Sequence, residues 1–447
     1  MNRDSATKGG RLRFRCWHLI PAVVLLSAGV VALDVGSIRN EREGRLQSLR
    51  AAGYPTTFVE LAEYTKLPEG VRNAADVYKL VFDVLTELKD DPNAPLGQIP
   101  ARGEPLPIET AAEMSKYLTT TDKCFALLHE AASIEHCRFD WNYADQLQPW
   151  IAHDHWSNAK SCAFLLRRRA VFHACAGDTD AAATCIRDGL RLADSMQREP
   201  GTLGHAVRIA LRAVALAGLE QTLNLASYAD RQLAELDEAL AASSAALDLK
   251  GTMVTQQCIE LERYRAIEFA RRPSLLQTVR NRDFVRAVPG MRARGFVDLL
   301  DYWRAYIEAT EFPVTQQLAR FREIDREMAS LSFLHAMVRR YWPAGVQRTV
   351  ELDLRVRVHL DLARTALAVE RYRLATGNVP GHLDELVPRY LEQVPIDPFD
   401  GRPIRYKHRN PGYLLYSILE DGQDNAGRTR DDVSSGEPYD WCFVVTR

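Results

Sequence analysis

Lysine is scarce in this chain: nine of its 57 cations are Lys and 48 are Arg, against 59 acidic residues and a formal net charge of −2. That near balance argues against a nucleic-acid binder, which carries a basic excess, and the Arg preference reads as composition bias rather than as a recognition site. Cysteine is sparse as well. Cys16, Cys124, Cys137, Cys162, Cys175, Cys185, Cys258 and Cys442 include no CxxC pair, so neither a zinc site nor a disulfide-built domain is expected. Five of them, at 124, 137, 162, 175 and 185, fall in stretches that read as helix, where free Cys packs as a small apolar residue. One or two disulfides stay open. Catalytic signatures are missing too: there is no GxSxG elbow, HExxH, P-loop or dinucleotide glycine fingerprint. Long apolar runs are limited to one, at the N-terminus.

That run covers residues 19–33 without a charge, behind a basic start of Arg3, Lys8, Arg11, Arg13 and Arg15. A signal peptide has this layout, and Val30-Val31-Ala32 offers small residues for cleavage. A spanning helix wants about 20 residues, which residues 17–38 supply if Asp34 is included. Five cations precede the segment and four follow it, a weak orientation bias. The expectation is a cytoplasmic stretch 1–16, then a transmembrane anchor or signal peptide at 17–38. The bulk of the chain would then lie outside the cytoplasm, held to the inner membrane by a single pass.

With 447 residues and 46% hydrophobic content, the chain is long enough for two or three domains. Residues 39–344 read as an α-helical hairpin domain. Helices break near Gly53-Tyr54-Pro55 and Pro68-Glu69-Gly70, and five prolines at 92–107 mark a long loop. Helical spacing resumes over 108–142, with Leu118, Phe125, Leu128 and Ala132 on one stripe. Residues 156–196 make the clearest unit: two apolar-striped helices joined at Gly177-Asp178, as in tetratricopeptide-like solenoids. Residues 203–225 and 231–249 read as a second pair. No strict 34-residue period is visible, so a generic helical bundle is an equal reading. The densest histidine grouping falls here, at 129, 136, 153 and 155. His129 and His136 are spaced for one helix face. His153 and His155, flanking Asp154, would diverge by about 200° on a helix and could share an ion only on a loop or strand.

Residues 345–447 differ in texture. A long helix over 345–376 ends at Gly377. Proline-rich turns follow, and then three short strands near 404–407, 413–418 and 440–445. The pieces Glu370-Arg371-Tyr372-Arg373, Gly377-Asn378-Val379-Pro380, Leu383 through Leu386, Val394-Pro395-Ile396-Asp397-Pro398-Phe399 and the 413–417 strand stand in an order that resembles the major pseudopilins of type II secretion. That resemblance implies a long helix packed on a small antiparallel sheet, with calcium in the final loop. The matching loop opens with Asp421-Gly422 and closes on Asp431-Asp432. Asp421, Asp424, Asp431 and Asp432 are thus the expected Ca2+ ligands, with structural calcium the one cofactor expected. Calcium takes six to eight oxygens, which carboxylates and glycine-turn carbonyls can supply. The match departs from the family at the N-terminus. Gly9-Gly10 is followed by Arg-Leu-Arg-Phe, and about 310 residues separate the apolar segment from the long helix. A head domain is therefore implied, and assembly into a pseudopilus is not. Cys137-Arg138-Phe139-Asp140-Trp141, Gly177-Asp178 and Glu199-Pro200 also look like uncharacterised bacterial membrane-anchored envelope proteins that end in such a head.

The fold class expected is mainly α with a C-terminal α+β domain. The function expected is a non-catalytic, membrane-anchored envelope scaffold or adaptor. Its helical middle would bind a protein partner, and it would take no nucleic acid. Two alternatives stay open: a hydrolase or other metal-dependent enzyme using His153, Asp154 and His155, and an atypical type II secretion pilus subunit.

Overall fold

The structure, a computed structural model, describes residues 36–88, 104–141, 153–269, 289–330, 345–434 and 436–447. It is mostly helical, with a small three-stranded antiparallel sheet near the C-terminus. The anchor segment 17–38 lies outside the described residues except for its last three. The loop 92–107 is described only from residue 104 onward.

Helix α1 (36–51) leads to α2 (Phe58–Tyr64), α3 (Ala74–Leu88), α4 (Ile108–Thr120) and α5 (Asp122–Ser133). The single helical stretch expected over 108–142 is broken at Thr121 and stops at Ser133. Beyond it the backbone is drawn out to meet the start of α3. Ala74 N donates to His136 O, Asn73 Nδ2 to Arg138 O, and Arg138 N to Asn73 Oδ1. Cys137 and His136 therefore sit in extended chain, and His129 and His136 share no helix face.

The expected hairpin is present as α6 (Asp154–Cys175) and α7 (Thr179–Asp194). Gly177 turns the chain at φ 78°, a conformation that side chains resist. Asp178 then caps α7 by accepting from Ala181 N. Helices α8 (Gly201–Leu225) and α9 (Asp230–Ala245) form the second pair. A Cβ on Gly189 would meet Ala215 Cβ at 3.3 Å, so α7 and α8 approach closely because that position is bare. Helices α10 (Leu249–Phe269), α11 (Pro289–Ala309) and α12 (Val314–Ala329) follow, then the 31-residue α13 (Val346–Thr376).

Helix α13 joins two hydrophobic cores. Its first turns, at Val346, Val350 and Leu354, pack with Trp303, Tyr306 and Phe321 of α11 and α12 and with Leu46 and Leu49 of α1. Its later turns, at Leu360, Leu367 and Val369, join a core that runs from Tyr78 and Leu128 through Leu166, Ile186 and Leu219 to Phe443. Strands β1 (Arg405–His408), β2 (Tyr413–Ser417) and β3 (Trp441–Val445) lie in that order, with Tyr406 opposite Leu415 and Leu415 opposite Phe443.

The outer edge of β3 is covered by side chains of α8, which take the place of a fourth strand. Glu220 Oε1 accepts from Val444 N at 2.8 Å, and Asn224 Nδ2 donates to Val444 O at 2.8 Å. Asn224 Oδ1 then accepts from Thr446 N at 2.7 Å. Two residues one helical turn apart thereby satisfy the backbone groups that an edge strand leaves open. Among the described residues one helix, α8, is long and apolar enough to cross a membrane, and over half of its apolar window is buried in protein. No disulfide joins the described cysteines.

Candidate functional site

The four carboxylates expected to hold calcium are exposed along the loop after β2. Asp421 Oδ1 accepts from Gln423 N and Asp424 Oδ1 from Ala426 N, each closing a turn two residues long. Asp432 Oδ2 accepts from Thr429 N and from Thr429 Oγ1, both at 2.8 Å. Asp431 lies beside it on a short 3-10 turn. The loop is pinned instead by Asp440, a residue outside the expected set, which is 1% exposed. Its carboxylate accepts from Asn425 N at 3.2 Å and Gly427 N at 2.7 Å, and burial pushes its pKa up against those bonds. Among the described residues no three His, Cys, Asp or Glu side chains stand together as a metal site. In this arrangement Asp421, Asp424 and Asp432 each spend an oxygen on backbone within three residues.

Asp397, quoted above within a proline-rich motif, is a second buried anchor. It accepts from Phe399 N, Ser417 Oγ, Ile418 N and Arg405 Nη1, tying the turn before β1 to the end of β2.

His153, Asp154 and His155 open α6. Asp154 is exposed in the first turn, where the helix dipole favours an acid. The two imidazoles enter an aromatic cluster rather than an ion site. His155 stacks on Phe139 at 4.6 Å, and His153 lies 4.5 Å from Trp141 and 4.6 Å from Trp156. His155, Trp141 and Trp156 share one partner in Glu199, which sequence reasoning did not assign a role. One oxygen, Oε2, accepts from Trp156 Nε1 at 2.8 Å and Trp141 Nε1 at 2.9 Å, and lies 3.0 Å from His155 Nε2. The signal was present in the motifs Phe139-Asp140-Trp141 and Glu199-Pro200, but 58 residues separate Trp141 from Glu199.

Glu199 also lines a cavity of about 250 Å³ between the end of α2, the turn before α8, the body of α8 at Arg208 and the first turns of α10. Arg208 of α8 lines the same cavity and is 2% exposed. Its Nη2 lies 2.5 Å from His205 Nδ1 and 3.3 Å from Thr252 Oγ1, while its Nη1 reaches Gln197 O at 3.4 Å. Its Nε has no acceptor. Burial, and then the neighbouring Arg212, pull the guanidinium down to about 10, which leaves it charged at neutral pH. Behind Arg208, His205 Nε2 approaches Asp353 Oδ1 of α13 at 3.1 Å, a close but poorly aligned contact, and Arg357 Nε donates to Asp353 Oδ2 at 2.6 Å. Burial pushes Asp353 up, yet His205 and Arg357 outweigh it and hold the carboxyl at about 2. With Nδ1 facing a guanidinium, His205 carries its proton on Nε2.

The fold and cavity define a mostly helical protein whose small C-terminal sheet is tied into the helices, with a charged pocket between two long helix N-termini. No family model, no curated protein and no solved structure matches the chain.

Proposed function

We propose that the chain is a membrane-anchored envelope scaffold, held by the N-terminal apolar segment and presenting its helical hairpins to a protein partner. In this reading the C-terminal region is a pseudopilin-like head that has been built into the helical body. The observation that carries the reading is the contact of α8 with β3. Glu220 and Asn224 hold the last strand in place of a neighbouring strand, and α13 runs through both cores. Such cross-bracing suits a rigid platform, because each element is fixed by segments distant in sequence. Calcium belongs to this reading only if the final loop turns its aspartates away from their own backbone.

The test is photo-crosslinking of the full-length chain in native membranes, with probes at the exposed apolar positions Leu80 on α3 and Leu203 on α8 and a control at Leu374. The expected result is one defined protein adduct from the Leu80 or Leu203 probe and none from Leu374, in a chain that fractionates with the membrane and is cut by external protease after the outer layer is opened. Recovery in the soluble cytoplasm, or no adduct from any probe, overturns it. The enzyme reading rests on the His155–Glu199 contact, since a carboxylate can orient an imidazole. Zinc or another transition metal that is lost from purified protein on changing His153 and His155 to Ala would favour that reading. Filaments seen by electron microscopy would favour the pilus subunit.

A further inference from the structure

Two buried charges of opposite sign line the cavity and do not pair with each other. Glu199 spends Oε2 on three ring nitrogens, and among the described residues no protein donor reaches its Oε1. Among the described residues Arg208 makes no ion pair, and its Nε lacks an acceptor. Both residues are over nine-tenths buried. Leaving a buried charge short of partners costs free energy, so a ligand that served both atoms would recover what the fold leaves unmet. The first turn of α10, at Gly251 and Thr252, borders the cavity and adds positive potential. Asp248, exposed at the mouth, adds a second carboxylate, with Oδ1 already accepting from Gly251 N. Thr252 beside Arg208 offers a hydroxyl. A volume of about 250 Å³ falls below the roughly 300–1,000 Å³ of pockets for drug-sized molecules.

We propose that this cavity binds a small zwitterion of the amino-acid class, its carboxylate on Arg208 and its ammonium against Glu199 Oε1 and Asp248. A simple anion would leave the two acids unserved, and a simple cation would leave Arg208 unserved. A molecule with both groups a few ångströms apart answers both sides of the wall. This inference stands apart from the scaffold reading, because a platform with or without a partner can carry such a pocket.

The experiment is calorimetry and thermal-shift titration of the full-length chain with the twenty α-amino acids, each alone, alongside acetate, methylammonium and inorganic phosphate. Saturable binding is expected for a subset of amino acids and for none of the three single-charge probes. Asp248→Asn, at an exposed position, should weaken that binding at least threefold, and Glu199→Gln at least tenfold. Nuclear magnetic resonance of the wild-type chain, with the bound amino acid contacting the Tyr64 ring at the mouth, places the ligand without relying on a variant that fails to fold. Binding by acetate or phosphate as tight as by any amino acid overturns the zwitterion. So does binding unaffected by both substitutions, or no binding at all.

Discussion

The loop 419–433 and the cavity walled by Glu199 and Arg208 both concentrate charge, and they spend it differently. In the loop, carboxylates close together in sequence bond the backbone two or three residues away, and each turn is complete in itself. In the cavity, Glu199 and Arg208 take partners far along the chain, Trp141 and Thr252 among them, and the Arg208 Nε stays without a protein partner. A run of acids in sequence can satisfy itself locally through Asx turns, at little cost and with no demand for a ligand. Charges brought together by packing are desolvated by helices that serve other ends. Their unmet valences are therefore the better sign of binding chemistry.

That contrast breaks if the two sets respond alike to truncation. Glu199→Ala strands the ring donors of Trp141, Trp156 and His155 in a buried cluster. The expected loss of stability is about 3–4 kcal/mol, since each buried donor left unpaired costs about 1–3 kcal/mol and the cluster can relax in part. Asp421→Ala removes one exposed turn bond and should cost about 0.5 kcal/mol or less. Urea unfolding of the two variants decides it, and equal losses would sink the distinction.

A buried group with no opposite charge near it sharpens the comparison. His359 on α13 packs against Trp441 at 5.4 Å, and its Nε2 has no partner. Burial alone pulls its imidazole down to about 4. The folded chain thus binds fewer protons than the unfolded one, where the ordinary value is about 6.5. Stability from this group is whole above about pH 6.5 and drains as pH falls through that value toward 4, by about 2–3 kcal/mol. His359→Phe should remove that slope between pH 6.5 and 4 and leave stability at pH 8 within about 1 kcal/mol. Melting curves across that range provide the check. An unchanged slope would mean that His359 is not neutral in the fold.

Much of the fold was legible in the sequence because it is written in local signals. The Gly177-Asp178 turn, the end of α13 at Gly377 and the β-branched and aromatic content of the last three strands each rest on residues close to one another in sequence. The expected helix over 108–142 overran because its end is set by Asn73, some sixty residues earlier, which draws residues 136–138 into extended chain. The cavity stayed out of reach of sequence reading for the same reason. Asp421, Asp424, Asp431 and Asp432 stand out as a run, whereas Glu199, Arg208 and Asp353 are isolated acids and bases whose partners are fixed by tertiary packing. His155 was singled out without its carboxylate, which lies 44 residues away. The same holds for the sheet: its strands were visible, and the edge contact from Glu220 and Asn224 over more than 220 residues was not.

The loop itself supplies the smallest and most direct test. If Asp432 serves only to accept from Thr429 N and Oγ1, then Asp432→Asn keeps the acceptor and costs about 0.5 kcal/mol or less. Millimolar calcium should then move the melting temperature of the full-length chain by about 1 °C or less, in wild type and variant alike. A ligand present at 100 times its Kd would instead contribute about 2.7 kcal/mol, a shift of several degrees. Such a shift, lost in Asp432→Asn, would show that the carboxylates leave their own backbone and converge on the ion. The local run of acids would then be a site after all, and the line drawn between self-satisfied and unmet charge would have to be redrawn around what the loop does when calcium is present.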